Sequence, residues 1–250
     1  MLSASSIFQE IKSDPDAFRF FVSVAAKGET QGGWENGRIA ELLDDEVLRP
    51  KVLRHGEDES KHGRIFRRLL EQRGLRCVEV DPEADYCMHL ERWGIGLSHR
   101  RLETSKPLSE EEVISYLVHS RVTEQRAAEE VDLMVKLFGD DPDIGPAVRM
   151  IADDEINHLS YCHEELLRLS AEGWEEYIRR MLEAYAKAEI KAYRKTSLAF
   201  VDRMADILSW NPLKKGLLKL GVHAKYFIER LVTWRRMVRL APPVRPGALG

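Results

Sequence analysis

Cysteine is scarce in this chain, and the spacing of the few that occur excludes several kinds of site. The three cysteines are Cys77, Cys87 and Cys162, and no two of them form a Cys-x-x-Cys pair. Zinc ribbons and rubredoxin-type iron centres need such pairs, and a disulfide framework needs an even set of cysteines in a short chain. We therefore expect three reduced thiols.

Long apolar runs and a secretion signal are also lacking. Residues 1–11 are polar and mixed, without a basic stretch followed by an apolar run, and no later segment reaches about 18 uninterrupted apolar residues. We expect a cytoplasmic protein that is at most peripheral at a membrane. The 250 residues, 44% hydrophobic and 32% charged, suffice for one sizeable core.

Strand signals are missing as well, whereas caps and breakers divide the chain into long helical stretches. Helices are predicted over about 15–42, 46–74, 109–139, from 146 onward, 174–210 and 213–240. The first two and the next two form hairpins, and residues 75–108 between them form a long crossover with a short helix near 82–93. This pattern predicts an all-α bundle over 1–170, additional helices over 171–240 and a disordered tail over 241–250.

A short motif occurs twice and gives the first indication of chemistry. Asp-Glu-Ser-Lys-His at 58–62 has a counterpart in Asp-Glu-Ile-Asn-His at 154–158, 96 residues later. Positions i and i+3 lie on one face of a helix, so each Glu-x-x-His pair can direct a carboxylate oxygen and an imidazole nitrogen at one point. One such pair is weak evidence, because surface helices contain them by chance.

Two further glutamates lie at matching distances from the predicted turns. Glu29 precedes Glu59 by 30 residues and Glu124 precedes Glu155 by 31. In an antiparallel hairpin this places each pair at equal height, about 22 Å from the turn. Four buried carboxylates would repel one another without divalent cations, and carboxylates with imidazoles favour iron or manganese. The alternative is that these are solvated acids on helix surfaces.

This set of residues resembles the ligands of the ferritin-like di-iron carboxylate superfamily, in which two helices of a four-helix bundle each give one Glu and the other two each give Glu-x-x-His. The resemblance covers residues 15–170. It implies that two iron ions, with manganese as the alternative, are held by Glu29, Glu59, His62, Glu124, Glu155 and His158. One glutamate from each half would bridge the metals, and no catalytic residue beyond the ligands is assigned.

Three more side chains near the motif match positions in that superfamily. Asp58 and Asp154 correspond to the aspartate that hydrogen-bonds a ligand histidine in oxygen-activating members; their alternative is a solvent-facing Asp-His pair four residues apart. His55 shares a helical face with Glu59 and His62 and is similar to the extra histidine of arylamine N-oxygenases. It would be a seventh ligand, with a supporting or surface histidine as the alternative.

Small residues follow two of the glutamates at the same spacing, three and four positions after Glu29 and Glu124. They are Gly32, Gly33, Ala127 and Ala128. Such residues leave space beside the metals for dioxygen or an organic substrate, with close helix packing as the alternative. Tyr161, three residues past His158, lines the same cavity or is a core tyrosine.

The last predicted helix, residues 213–240, is amphipathic and strongly basic. From Asn211 onward there are nine Lys or Arg and one acid, Glu229, whereas the preceding chain is net acidic. The helix packs on the acidic bundle, lies on an anionic membrane surface, or binds a partner helix or an anionic substrate. Nucleic acid is not expected as a partner, because no known RNA-binding module is present.

Together, the residues and the resemblance predict a di-iron oxidoreductase that activates dioxygen to oxidise or hydroxylate a small organic substrate. Electrons would come from an external reductase or ferredoxin, unless the substrate supplies them, because the chain has no flavin, haem or iron–sulfur motif. The alternatives are an iron-handling or peroxide-scavenging protein like ferritins and rubrerythrins, and a non-enzymatic scaffold acting through the basic helix. The sequence leaves open whether the chain forms a homodimer.

Overall fold

The computed structural model describes residues 3–240, which form helices and no strand. The helices are α1 (Ala4–Ser13), α2 (Pro15–Leu42), α3 (Leu48–Glu71), α4 (Tyr86–Arg92), α5 (His99–Leu102), α6 (Glu110–Phe138), α7 (Gly145–Leu169), α8 (Glu175–Ile207), α9 (Pro212–Ile228) and α10 (Arg235–Val238). The all-α prediction is confirmed. The tail predicted over 241–250 lies outside the described residues, and the division at residue 170 stays a prediction.

Helices α2 and α3 form the first hairpin, and short polar side chains fix its ends. The Asp14 carboxylate accepts hydrogen bonds from the backbone N–H groups of Asp16 and Ala17, so it caps α2. At the turn, the Asp45 carboxylate accepts from the N–H groups of Val47 and Leu48 at the start of α3. The turn at Asp44–Asp45 is therefore where the sequence predicts it.

Glycines let these two helices approach closely. A Cβ atom added at Gly33 would lie 2.3 Å from Ser60 Oγ, and one at Gly56 would lie 3.0 Å from the backbone N of Gly37. At Gly63 the obstacle would be Thr30 Oγ1, at 2.6 Å. Side chains at these positions would push the helices apart, so the glycines set the separation at which the glutamates and histidines of both helices meet.

Helices α6 and α7 form the second hairpin. Ser109 and Glu112 make a capping box at the start of α6, in which each side chain accepts a hydrogen bond from the backbone N–H of the other residue. The intervening turn is closed by the Asp141 carboxylate, which accepts from the N–H groups of Asp143 and Ile144. Both hairpins therefore turn midway between their two glutamates. This is the position that the predicted equal heights of the glutamates require.

The crossover between the hairpins, residues 75–108, contains α4 and α5. The predicted short helix near 82–93 corresponds to α4, and α5 was not predicted. Leu90 and Ile95 pack against Ala192 of α8, so the crossover is held on the outside of the bundle by a small apolar cluster. Helix α1 was not predicted either. Ser3 and Ser6 cap it, and its Ile11 is buried against α2 and α8.

The helix predicted over 213–240 is present in extent, since residues 212–238 are helical apart from Trp234, but it is not a regular α-helix throughout. Helix α9 ends at Ile228, and the chain passes through a wide turn, in which the N–H of Trp234 donates to the carbonyl of Glu229, before α10 begins. Glu229 is buried and accepts hydrogen bonds at 2.7 Å from Arg126 of α6 and at 2.8 Å from Arg236. This buried ion pair lies at the first residue of the π-helical turn that separates α9 from α10.

The apolar stripe of α9 faces outward. Its lysines turn toward the rest of the chain instead: Lys219 contacts both carboxylate oxygens of Asp202 at 2.8 Å, and Lys214 pairs with Glu10. Exposed side chains on the stripe include Leu213 and Leu231, at 73% and 68%. None of the described helices is long and apolar enough to cross a membrane.

We expect Gly33→Ala to destabilise the protein and Gly37→Ala, four residues along the same helix, to be neutral or stabilising. The new methyl group at 33 meets Ser60 Oγ and backbone atoms within 3.1 Å, whereas no atom lies within 4 Å of the one at 37. Overpacking costs about 1–3 kcal/mol and removing a helix-interior glycine returns up to about 1 kcal/mol. Urea unfolding of both variants measures the difference, and equal free energies of unfolding would contradict the close approach.

Candidate metal centre

The six predicted metal ligands meet at the middle of the bundle, together with His55. Their candidate ligand atoms form two groups, each within 4.8 Å of one another. One group contains Glu29, Glu59, His62 and Glu155; the other contains His55, Glu59, Glu124 and His158. Glu59 belongs to both groups. Since metal–ligand bonds to such residues are about 2.0–2.2 Å long, each group is compact enough to surround one ion. These His and Glu residues could hold a metal ion.

The ligands come from four helices, α2, α3, α6 and α7, and helix geometry places them at one level of the bundle. Glu29 and Glu124 lie on α2 and α6, and each is carried to the height of the motif on the next helix by the turn between them. On α3 and α7 the three-residue spacing puts the glutamate and histidine on one face. His62 and Glu155 are 0% and 2% exposed, so the motif faces the interior and not the solvent.

The two motif histidines have the same orientation. Nδ1 of His62 lies 3.1 Å from Glu29 Oε2 and 3.7 Å from Glu155 Oε1, so it points into the cluster. Nδ1 of His158 lies 3.5 Å from Glu124 Oε2 and 3.6 Å from Glu59 Oε1. In both rings the outer nitrogen, Nε2, is turned to an aspartate on the other motif helix. The Nδ1 atoms are therefore the candidate metal ligands.

Asp58 and Asp154 support the histidines crosswise. His62 Nε2 donates a hydrogen bond of 3.0 Å to Asp154 Oδ2, and His158 Nε2 lies 3.7 Å from Asp58 Oδ2. Asp154 therefore supports the histidine of the other repeat, whereas Asp58 faces His158 beyond hydrogen-bond distance. Both aspartates are turned to the other motif helix, so neither forms the solvent-facing pair four residues apart. An outer carboxylate of this kind fixes which ring nitrogen carries the proton and leaves the inner one free to bind a cation.

Lys61 joins these two aspartates and was missed in the sequence. Its Nζ donates to Asp58 Oδ1 and Asp154 Oδ2, both at 2.7 Å. The ammonium group neutralises part of the charge behind the histidines and ties the two motif helices together. The repeat gave no signal for it, because Asn157 occupies the matching position in the second copy and is exposed.

His55 is held in the orientation of a ligand by a chain of hydrogen bonds. The chain begins where Asn36 Nδ2 donates to the Gly32 carbonyl, which leaves Asn36 Oδ1 to accept from Tyr116 Oη at 2.7 Å. Tyr116 then accepts from Tyr161 Oη at 2.6 Å, and Tyr161 accepts from His55 Nδ1 at 2.7 Å.

The direction of that chain determines the state of the His55 ring. Nδ1 carries a proton that it donates to Tyr161, so Nε2 is the nitrogen that a cation would bind; it faces Glu124 Oε1 at 3.2 Å and Glu59 Oε1 at 3.4 Å. The ring also stacks on His158, with centroids 3.8 Å apart. His55 is placed as a further candidate ligand in the second group, and the surface alternative is excluded because it is 1% exposed.

Protonation changes show how strongly this cluster attracts positive charge. Burial and the charge of Glu59 raise the pKa of Glu29 to about 8, and burial with the charge of Glu124 raises that of Glu155 well above its usual range. Burial lowers the pKa of His55, but Glu124 and Glu59 more than offset it and raise it to about 10. Without a metal ion, protons take the place of cations.

Several buried polar atoms in the cluster have no hydrogen-bond partner among residues 3–240. They are His55 Nε2, Glu124 Oε2, Glu155 Oε2 and His158 Nδ1. Buried polar atoms are rarely left unpaired, because their lost hydration is not recovered. All four point into the groups described above, so a bound cation would satisfy them together. The donor set therefore fits a metal.

A cavity of about 310 Å³ opens directly onto the carboxylate side of the cluster. All four glutamates border it, whereas the three histidines lie behind them. Its wall is mostly apolar, with polar side chains such as Glu35, Tyr116, His119 and Arg126 at intervals. This is the composition of a small-molecule site.

The side chains predicted to line a cavity have different positions. Gly32 and Ala127 border it, and a Cβ atom at Gly32 would lie 2.7 Å from Glu59 Oε2, so this glycine makes room for the carboxylate. Gly33 instead packs against Ser60, Tyr161 belongs to the hydrogen-bond chain behind His55, and Ala128 is not part of the wall.

Comparisons with the models of known protein families, with curated proteins and with solved structures give no match. The interpretation of this centre therefore depends on its geometry.

We expect Asp154→Asn to weaken metal binding about 10–100-fold, because an amide no longer offers the carboxylate that orients His62. Asp153→Asn is the matched control, since Asp153 is the adjacent residue and is exposed. Competition of each variant against a coloured chelator for ferrous or cobaltous ion gives the affinities. Equal affinities of the two variants would show that Asp154 does not act on the metal site.

Proposed function

We propose that this protein is a ferritin-like di-iron oxidoreductase that activates dioxygen to oxidise or hydroxylate a small organic substrate. The observation that carries the proposal is the cavity of about 310 Å³ bordered by all four glutamates of the metal cluster. A centre that only stores or structurally binds a metal has no need for ligand space on its carboxylate side. Manganese in place of one iron is compatible with the same residues.

The protein's own residues would hold two metals in the two groups that share Glu59. Bound iron would supply the oxygen chemistry and the redox capacity that amino-acid side chains lack. Glu29, His62 and Glu155 complete one group, and Glu124, His158 and His55 complete the other. Two ions with a shared carboxylate are the arrangement that cancels most of the buried negative charge.

The cavity wall determines what can approach the cluster. Leu90, Ile39 and Val80 supply apolar surface that keeps bulk water away, which protects reactive species from side reactions. Among the polar groups, His119 is half-buried and has no side-chain hydrogen bond among the described residues, and desolvation lowers its pKa, so it is neutral at physiological pH. Its ring can orient a polar substituent of a substrate through either nitrogen.

An external electron donor follows from the same proposal. The three cysteines lie apart and are unpaired, and the chain offers no site for a flavin, haem or iron–sulfur cluster by sequence motif. A separate reductase or ferredoxin would supply electrons unless the substrate does so. Trp34 and Trp93 are exposed aromatic residues, but nothing in their surroundings indicates a docking site for such a partner.

Metal loading and oxygen uptake test the proposal directly. Metal-free protein is reloaded anaerobically with ferrous ion, the bound iron per chain is measured, and air-saturated buffer is then added in an oxygen-electrode cell. We expect about two irons per chain, as in bundles with this ligand set, and oxygen uptake with a change in the visible spectrum. Glu155→Gln should lose both, whereas Glu164→Gln, an exposed neighbour on the same helix, should lose neither.

Other outcomes point to other functions. Iron accumulating far beyond the capacity of the site would indicate storage, and rapid loss of added hydrogen peroxide without oxygen uptake would indicate peroxide scavenging. Well-folded wild-type protein that binds no stoichiometric metal would contradict the proposal. A scaffold function would then be the remaining explanation.

A further inference from the structure

A second cavity adjoins the metal cluster on the side of α1 and is almost entirely apolar. It encloses about 230 Å³ between α1, α2, α3, α6 and α7. Its wall includes Phe8, Phe18, Phe21, Phe66, Met134 and Phe138. The charged groups on the wall are Lys12, which pairs with Asp141, and Glu29 and Glu130 at the inner end. This cavity is called the apolar chamber below.

The apolar chamber is too large to be a packing imperfection. Protein interiors hold few voids larger than a water molecule, and an apolar cavity of about 150 Å³ already stays dry and binds a molecule such as benzene. Helix α1 closes the chamber from outside, because Phe8 makes edge-to-face contacts with Phe21 and Phe138 at centroid distances of 5.7 and 6.3 Å. The arrangement is ordered ligand space.

The chamber and the carboxylate-lined cavity meet at the metal cluster. Ala25, Glu29, Ala127 and Glu130 border both spaces. The two alanines are the small residues of this shared wall, so a molecule that occupied both spaces would lie beside Glu29, a candidate metal ligand. One end of such a molecule would meet polar groups including His119, and the other end would meet only aromatic and aliphatic side chains.

A departure from the internal repeat indicates that the chamber belongs to the site. His55 of the first motif helix corresponds to Ile151 of the second, 96 residues later. His55 turns a nitrogen to the second metal group, whereas Ile151 is 1% exposed and borders the chamber. The two halves of the centre therefore differ at the same position: one has an extra nitrogen ligand and the other an apolar wall.

We propose that the apolar chamber binds the tail of the substrate and that the substrate is an amphiphile, with an uncharged hydrocarbon or aryl tail and one polar end. That the bound molecule is a substrate rests on the proposed function. The binding site itself is inferred from the two cavities. The tail lies in the chamber, the polar end lies in the carboxylate-lined cavity, and the carbon near Glu29 is the one presented to the metals. A charged group on the tail is disfavoured, because Lys12 is already paired with Asp141 and the wall away from Glu29 and Glu130 is aromatic and aliphatic.

Calorimetric titration with 1-decanol tests the chamber without turnover. The titrations use anaerobic ferrous protein and metal-free protein. The comparison ligand is 1,10-decanediol, which has the same chain length as decanol but ends in a hydroxyl at both ends. We expect decanol to bind at least ten times more tightly than the diol. Val131→Phe fills the chamber and should weaken decanol binding at least tenfold, and Val148→Phe repeats the test from α7.

Val135→Phe is the matched control. Val135 packs on the same apolar cluster as Val148, but it does not border the chamber. The tail site would be overturned if wild-type protein bound no detectable decanol. It would also be overturned if Val131→Phe and Val148→Phe bound decanol as tightly as wild type does. Normal oxygen uptake with no decanol binding would reject the chamber and leave the function standing. Decanol binding without metal or oxygen uptake would keep the chamber and reject the function.

An independent observation concerns the surface of α9 and the turn that follows it. Seven apolar side chains there are exposed, and we call them the C-terminal apolar face: Leu213, Leu217, Leu220, Phe227, Ile228, Leu231 and Val232. The spacing of 213, 217, 220, 227 and 231 places them along one side of the helix. An exposed apolar surface of this length marks an interaction site.

Arginines without acidic partners flank the end of this face. Arg230, Arg235 and Arg239 are exposed, and within residues 3–240 none of them forms a salt bridge. Arg230 lies near the ring of Tyr226 and Arg235 near that of Trp234, so neither is neutralised. Glu229, the one acid after Asn211, is buried against Arg126 and cannot balance them.

We infer that the C-terminal apolar face lies on an anionic membrane surface. Apolar side chains that enter the headgroup region beside arginines that contact anionic lipids are the features of an interfacial helix. A second copy of the chain fits less well, because pairing of two such faces would bring the unneutralised arginines of both copies together.

Sedimentation with vesicles distinguishes these occupants. We expect the protein to sediment with phosphatidylcholine vesicles that contain phosphatidylserine, to remain in solution with phosphatidylcholine alone, and to be released by high salt. Leu231→Glu should abolish binding, whereas Leu53→Glu, an exposed leucine on α3, should not. Binding that ignores phosphatidylserine or survives in Leu231→Glu would overturn the inference, as would a dimer in light scattering that Leu231→Glu dissociates.

Discussion

Four carboxylates, two buried and two partly buried, meet at one level of the bundle, and this is the constraint on which the rest of the centre depends. Mutual repulsion and lost hydration make such a cluster unstable unless positive charge is placed among or around it. The surrounding structure supplies that charge in layers: imidazoles point inward, aspartates orient them, and Lys61 links the aspartates at 2.7 Å. Burial and mutual repulsion still raise the pKa values of Glu29 and Glu155. The cluster could hold a metal ion, which would complete the balance of charge.

The ligands could be predicted from sequence because helix periodicity and hairpin symmetry are local rules. A three-residue step fixes a shared face, and equal distance from a turn fixes equal height. The supporting network follows no such rule. Asn36, Tyr116 and Tyr161 come from three helices and are ordinary residues in ordinary surroundings until the helices pack. The crossed Asp–His pairs were undecidable for the same reason, since within one helix the same residues also suit a local pair.

The C-terminal region shows what an amphipathic pattern cannot decide. The stripe and the lysines of α9 were evident, but the pattern does not state which side faces the protein. Here Asp202 and Glu10 lie beneath the helix and attract Lys219 and Lys214, so the apolar side is left outside. The π-helical turn after Ile228 was not evident either. Glu229, its first residue, pairs with Arg126, a residue 103 positions away, and no local signal records that partner.

The two halves of the centre are related by repetition, and the exceptions to the repeat lie where specificity would be needed. Paired glutamates, histidines and aspartates recur in both halves and balance charge in the same way. His55 and Ile151 break this symmetry at one position, and Gly32 clears space for Glu59 on one side of the cavity. A protein that only stored metal would gain nothing from two unlike sides. The repeated residues suit a bound metal ion, and the unrepeated ones fit our proposal that a molecule approaches the cluster from one direction.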